Sequence, residues 1–249
     1  MDLRAEHVAG AFLDRLERPL YFLKTNLAKS PSLALPLAWL RGNRELVDKD
    51  TDILIESFPR SASSFAKAAL RLAQEPRELR IASQTHAPGH VIAAVRLNIP
   101  SLVLIREPID AVVSNLFRHP ERGVDGLLRG YLSFYEPLRP YRAGFVVATF
   151  EEVVGGEFAA VTRRINTRFG TDFAEFEATE ENVLHCLRSI DREWRAHRSQ
   201  DEELLERTIP RPSELREGMK ETLRERVQES ASPRLHQRAE SVYDHLVIR

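Results

Sequence analysis

Between residues 52 and 168 the chain alternates short, β-branched apolar runs with amphipathic segments, and this alternation limits the fold more than any other feature. The runs at 52–58 (Asp-Ile-Leu-Ile-Glu-Ser-Phe), 79–85, 101–105 and 145–149 have the length and composition of strands. Helical patterns separate them: 64–75, with Phe65, Ala68, Ala69 and Leu72 on one face; 89–98; 108–117, led by Pro108; and 157–168. Strands that alternate with helices pair in parallel, through right-handed crossovers that place helices on both faces of the sheet. The expected fold is a three-layer α/β/α domain around a central parallel sheet. Ligands in such sheets sit beyond the carboxyl ends of the strands, so the loops after Phe58, Thr85, Ile105 and Thr149 are expected to converge.

Around this core the pattern is helical. Val8, Phe12, Leu13 and Leu16 recur at helical spacing, followed by Leu20, Phe22, Leu23 and Leu27; 180–197, 212–229 and 233–246 are long, charged and amphipathic. No internal repeat, low-complexity tract or Gly/Ser linker divides the chain. The expected organisation is one domain over 1–249, with a helical extension or cap at 1–50, an α/β core at 51–170 and a mainly helical part at 171–249. A formal net charge of −1 leaves no broad basic field for nucleic acid. The one cysteine, Cys186, excludes an intramolecular disulfide and fits a reducing compartment. The charged start Met1-Asp2-Leu3-Arg4-Ala5-Glu6-His7 lacks a signal peptide's apolar stretch, and the apolar run at 33–40 is too short for a transmembrane segment and is broken by Pro36. The expected location is cytoplasmic.

Two constellations carry chemistry. The first is the loop Pro59-Arg60-Ser61-Ala62-Ser63-Ser64 between a buried strand and a helix start, where free amide hydrogens and the helix dipole favour an anion. Ser61, Ser63 and Ser64 add hydroxyl donors, and Arg60 adds a guanidinium that can bridge two oxygens. The plainer alternative is a serine cap beside a solvated arginine. A Walker loop needs Gly-x-x-x-x-Gly-Lys-Ser/Thr, and no glycine stands between Gly42 and Gly89. The second constellation ends a strand with Arg106 and places Ser114 two turns along the next helix, able to grip a second phosphate. Its plainer alternative pairs Arg106 with Asp110 or Glu107 and leaves Ser114 solvated or bonded to its own helix.

Phe58-Pro59-Arg60-Ser61-Ala62-Ser63-Ser64-Phe65 resembles the 5′-phosphosulfate loop of the PAPS-dependent sulfotransferases, usually Pro-Lys/Arg-Ser-Gly-Thr-Thr-Trp. Arg106 and Ser114 share the spacing of that family's 3′-phosphate motif. Thr85-His86-Ala87-Pro88 resembles its Thr-His-x-Pro segment, and Thr149-Phe150-Glu151-Glu152 its aromatic-Glu-Asp segment. The four stand in family order over roughly 51–155 and are identified together as a sulfotransferase pattern of cytosolic or bacterial type. The resemblance implies a P-loop-NTPase-like sulfotransferase fold and in-line transfer of a sulfuryl group from 3′-phosphoadenosine 5′-phosphosulfate (PAPS) to a hydroxyl or amine, yielding adenosine 3′,5′-bisphosphate without a metal. It implies His86 as general base and Arg60 as the neutraliser of developing charge. It also implies Arg60, Ser61, Ala62, Ser63 and Ser64 at the 5′ end, Phe65 and Phe150 as aromatic contacts, and Arg106 with Ser114 at the 3′-phosphate. Arg216 and Gly218 are either the counterparts of a C-terminal Arg-Lys-Gly segment, with Arg211 and Lys220 as further candidate donors, or part of one turn of an amphipathic helix.

The chain departs from the family at five places. Ala62 replaces glycine, so the loop must keep φ negative there or accept strain. Arg60 replaces the more usual lysine, Phe65 a tryptophan and Phe150 a tyrosine, while Glu217 occupies the central lysine of the C-terminal segment. An atypical small-molecule kinase and a non-catalytic nucleotide-binding protein are the alternatives from other classes. For the acceptor, Phe117, Tyr131, Phe134, Tyr135 and Tyr141 either line an apolar pocket or belong to the core. The first option, with the apolar N-terminal region above it, points to an apolar or aromatic alcohol. Oligomeric state is not legible in the sequence.

Overall fold

The computed structural model describes residues 28–119, 122–197 and 214–248, the side chains of 197 and 214–217 excepted. Four strands, β1 (Ile53–Ser57), β2 (Ile81–Ser83), β3 (Ser101–Ile105) and β4 (Val146–Thr149), form a parallel sheet in the order β2-β1-β3-β4. The chain leaves β1 toward β2 on one side and returns to β3 on the other. The strand order therefore reverses between β1 and β3, and a crevice opens there at the carboxyl ends.

The strands read as continuous apolar runs because the sheet is covered twice. Ile53, Ile55, Leu102, Leu104, Val146 and Ala148 face one core with α2 (Ser63–Gln74), α7 (Phe158–Phe169) and α8 (Glu180–His197). Leu54, Val103, Ile105 and Val147 face the other, with α3 (Pro88–Arg96), α4 (Pro108–Arg118), α5 (Val124–Tyr135) and α10 (Pro233–Val247). This period-two division is the expected three-layer arrangement. Two further helices are α1 (Pro31–Leu40), preceding β1, and α9 (Glu214–Ser230), packed on α4. Gly89 admits the segment leading into α1 to α3, since a Cβ there would meet Ala28 O at 2.8 Å. Of the N-terminal cap, 1–27 lies outside the described residues. None of the described helices is long and apolar enough to cross a membrane.

Three features differ from the expectations. The strand expected over 79–85 is only Ile81–Ser83, because Gln84 (φ 63°) and His86 (φ 50°) turn the chain in the left-handed region. Residues 124–144, noted only for aromatics, are α5 followed by a 3₁₀ segment, Glu136–Gly144. Tyr131, Phe134 and Tyr135 are buried in the core and Tyr141 packs against it, so these four aromatics are core rather than pocket wall; Phe117 is also buried. Thr149 opens a further short helix, α6 (Phe150–Val154), by a reciprocal cap: Glu152 N–H donates to its hydroxyl and its own N–H donates to the Glu152 carboxylate.

Candidate functional site

The loop after β1 is built around two left-handed residues, Arg60 (φ 73°) and Ala62 (φ 70°). Ala62 thus takes the strained option, adopting the conformation a glycine would hold freely. It is also the N-cap of α2, and its methyl offers the first-turn amides no acceptor. The serine-cap alternative is therefore not the arrangement found: Ser63 and Ser64 lie inside the first turn, and a twelve-residue helix presents a bare N-terminus. Beneath it Ser61 is fully buried. The neighbouring Tyr135 hydroxyl donates to Leu104 O at 2.7 Å and accepts Phe58 N–H at 3.2 Å, leaving Ser61 Oγ without a geometrically satisfied hydrogen bond. Ser57 Oγ, at the end of β1, is buried and unsatisfied in the same way. Buried hydroxyls of this kind are costly unless something completes them.

The β3 motif closes onto this loop. Arg106 donates from Nη1 to Arg60 O at 3.3 Å, and its guanidinium stacks 3.9 Å from the centre of the Phe150 ring. Arg60 Nε donates to Ser114 Oγ at 3.1 Å. Glu107 and Asp110, considered above as partners of Arg106, have engagements of their own. Glu107 caps α4 by accepting Asp110 N–H at 2.8 Å, and Asp110 pairs with Arg224 of α9. Arg60, Arg106, Ser114 and Phe150, from the segments that follow β1, β3 and β4, thus form one connected cluster.

His86 sits at the carboxyl end of β1, donating from Nδ1 to Ser57 O at 2.8 Å. This bond orients the ring and leaves Nε2 as the basic nitrogen of the neutral form. His90, one helical turn on, is fully buried: its Nε2 accepts Val47 N–H at 2.9 Å and its Nδ1 contacts Glu56 at 2.9 Å. That is a structural histidine.

Phe65 packs edge-to-face on Phe176, 6.2 Å between centroids, and against α8. Arg216 and Gly218 fall in α9, within the helix expected over 212–229, with Gly218 exposed. The side chains of Arg216 and Glu217, and all of Arg211, lie outside the described residues.

Two contributors escaped the sequence argument. Asn115, 2% exposed, donates to Pro59 O at 3.0 Å and Ala111 O at 2.9 Å, tying α4 to the anion loop. Glu56 lies wholly buried in β1, and a carboxylate inside an apolar run was the available signal, since buried charges require partners. Burial pushes its carboxyl up, but His90, His86 and Thr85 outweigh that and hold it below its ordinary value. Strain gathers here too: Arg60, Ala62, Gln84 and His86 are four of the five described non-glycine residues at positive φ, Asn98 being the fifth. No group of three or more His, Cys, Asp or Glu able to hold a metal occurs among the described residues.

No protein-family model and no curated protein sequence matches the chain. Among solved structures, it is similar to the crystal structure of mouse sulfotransferase SULT7A1 complexed with PAP, at 11% identity and a TM-score of 0.44, over 82% of this chain and 87% of that one.

Proposed function

We propose that the chain transfers a sulfuryl group from PAPS to a hydroxyl or amine of a small-molecule acceptor. One observation carries this reading: an uncapped helix N-terminus, with a buried unsatisfied serine under it, is joined through Arg60 and Ser114 to a second cationic position at Arg106. Two anion positions linked in this way match a ligand with phosphates at both ends of a nucleoside. The α2 amides with Ser61, Ser63 and Ser64 would hold the 5′ end, and Arg106 with Ser114 the 3′-phosphate. Phe150 supplies a flat partner for Arg106.

In the transfer, the acceptor oxygen or nitrogen bonds to sulfur as the bond from sulfur to the bridging phosphate oxygen breaks. The acceptor proton passes to His86 Nε2, and the departing electron pair stays on the 5′-phosphate. Arg60 and the α2 N-terminus neutralise that growing charge, as preorganised donors do in phosphoryl transfer. The aromatic alcohols expected as acceptors lose their support with the aromatics buried in the core, so the acceptor class remains a small hydroxyl or amine compound. A reducing cytoplasm fits the single cysteine, whose thiol burial pushes up to about 11.

The test is nucleotide-dependent thermal protection followed by turnover. Adenosine 3′,5′-bisphosphate is expected to raise the melting temperature where ATP does not, and PAPS with an acceptor panel to give sulfated product. Arg106→Ala is expected to weaken the bisphosphate, and His86→Ala to abolish transfer with the bisphosphate still bound. Protection by ATP alone would replace the reading with a kinase; full transfer by His86→Ala would remove the base.

A further inference from the structure

The transfer described above gives the buried Glu56 carboxylate no part, yet hydrogen bonding fixes its surroundings atom by atom. Oε1 accepts Thr85 N–H and the Thr85 hydroxyl, each at 2.7 Å, and His90 Nδ1–H at 2.9 Å. Oε2 accepts His86 N–H at 3.2 Å and Ser57 N–H at 3.3 Å. So many donors favour the ionised carboxylate even in a dry site.

Its counter-charge is the question. His90 touches Glu56, but its Nε2 accepts the Val47 amide hydrogen, and a ring nitrogen that accepts carries no proton. The His90 ring is therefore neutral and offers Glu56 a dipole, not a charge. Tyr135, the other titratable group facing Glu56, stays neutral because burial pushes its hydroxyl well above the ordinary range. Among the described residues that leaves His86, whose Nδ1 lies 4.0 Å from Glu56 Oε2 while donating to Ser57 O.

We propose that Glu56 is the positioning residue of His86, fixing the left-handed turn that carries it and supplying the negative charge that matches its imidazolium. The catalytic part of this rests on the sulfotransferase reading; the coupling between the two side chains does not. When His86 Nε2 takes the acceptor proton, the cation forms 4.0 Å from a carboxylate that is already ionised and already oriented. No proton moves to Glu56. Its five donors hold it in place, so the stabilisation needs no reorganisation at the moment of transfer.

The experiment is an NMR titration of the imidazoles in full-length, histidine-labelled protein, comparing the wild type with Glu56→Gln and Thr85→Val. The His86 midpoint is expected to fall by about one pH unit in Glu56→Gln, the low end for an opposite charge at this distance because His86 is part-exposed. In Thr85→Val, which removes a hydrogen bond from Glu56 but leaves its charge, the midpoint is expected to stay in place. Equal behaviour of the two variants would reduce Glu56 to a structural role and overturn the proposal. Should Glu56→Gln not fold, the wild type decides: ¹⁵N shifts are expected to show His90 as the neutral Nδ1–H form, and a doubly protonated His90 would overturn the proposal. With PAPS and acceptor, Glu56→Gln is expected to lower kcat about tenfold, the equivalent of one pH unit. The acid limb of its rate profile moves to lower pH, and adenosine 3′,5′-bisphosphate affinity stays unchanged. An enzyme that transfers sulfuryl groups with an unshifted His86 refutes only the coupling. A shifted His86 in a protein that neither binds PAPS nor transfers refutes only the sulfotransferase reading.

Discussion

Replacing Ala62 by glycine is expected to stabilise the protein, although it removes a side chain. Ala62 sits at φ 70°, ψ 16°, where an L-residue brings Cβ against the carbonyl at a cost of about 1–2 kcal/mol. Glycine abolishes that cost but frees the unfolded chain, which returns about 0.4–1 kcal/mol. Ala62 also packs, half-buried, against the α2-side core, and losing one methyl there returns a few tenths of a kcal/mol. The net expectation is a gain of about 0.5 kcal/mol, or a melting temperature higher by about 1–2 °C in a chain of this size. Gly170 provides the reverse measurement. It has nearly the same backbone, φ 67° and ψ 30°, at the end of α7, and a Cβ built there meets nothing within 4 Å. Gly170→Ala is therefore expected to cost about 1 kcal/mol, from conformation alone. Urea unfolding followed by circular dichroism reads both, with unchanged slopes showing that stability has moved and not the unfolded state. A midpoint for Ala62→Gly at or below the wild type, alongside the expected loss at Gly170, would refute a strained Ala62.

Two other outcomes follow from the same geometry. Asn115→Ala removes both donors that join Pro59 O and Ala111 O, and is expected to cost about 1–2 kcal/mol while weakening adenosine 3′,5′-bisphosphate severalfold, read by denaturation and calorimetry; unchanged affinity would mean that the loop holds its shape without α4. Stability is expected to be level above about pH 5 and to fall below about pH 4.5, near the unfolded carboxylate value. The sign follows from Glu56 and Glu45, both held below their ordinary values despite burial, Glu45 chiefly by Lys67. They bind fewer protons folded than unfolded, so their contribution drains as pH falls through the folded values. A melting temperature that stays level to pH 3 would contradict both assignments.

The alternation of strands and helices was legible because a parallel sheet buried on both faces leaves uninterrupted apolar runs such as 53–55 and 102–105. The cluster of Arg60, Arg106, Ser114 and Phe150 was legible for a related reason: each follows a strand, and strand ends converge. What stayed hidden depends on contacts distant in sequence. Tyr131 and Tyr135 share a helix face like any core aromatics, and nothing local shows that their hydroxyls reach Arg106 O and Leu104 O across the sheet. Asn115 stands beside Ser114 but serves a loop 56 residues earlier. The C-terminal Arg216–Gly218 resemblance came from a three-residue pattern that a charged helix also produces, and helix is what the backbone forms. Phe65 kept the aromatic character expected of it, yet its packing is set by Phe176 and α8, elements whose position no local pattern reveals.

The same long-range contacts explain how the site tolerates its own backbone. Four left-handed residues at two adjacent strand ends, at about 1–2 kcal/mol each, would make flexible loops relax to ordinary conformations. They do not stand alone. Glu56 receives the amides of Thr85 and His86, fixing the turn after β2 from inside the central strand. Asn115 and Arg106 hold the carbonyls of Pro59 and Arg60, fixing the turn after β1 from α4 and β3. In each loop a polar group from outside bonds to a strained residue, Glu56 to His86 and Arg106 to Arg60, so relaxing the loop would strand that group unsatisfied, at about 1–3 kcal/mol per group. The strain and the buried polar residues therefore require each other. Ala62 lies in the loop that Asn115 and Arg106 brace through Pro59 and Arg60, and its own strain is what Ala62→Gly would relieve.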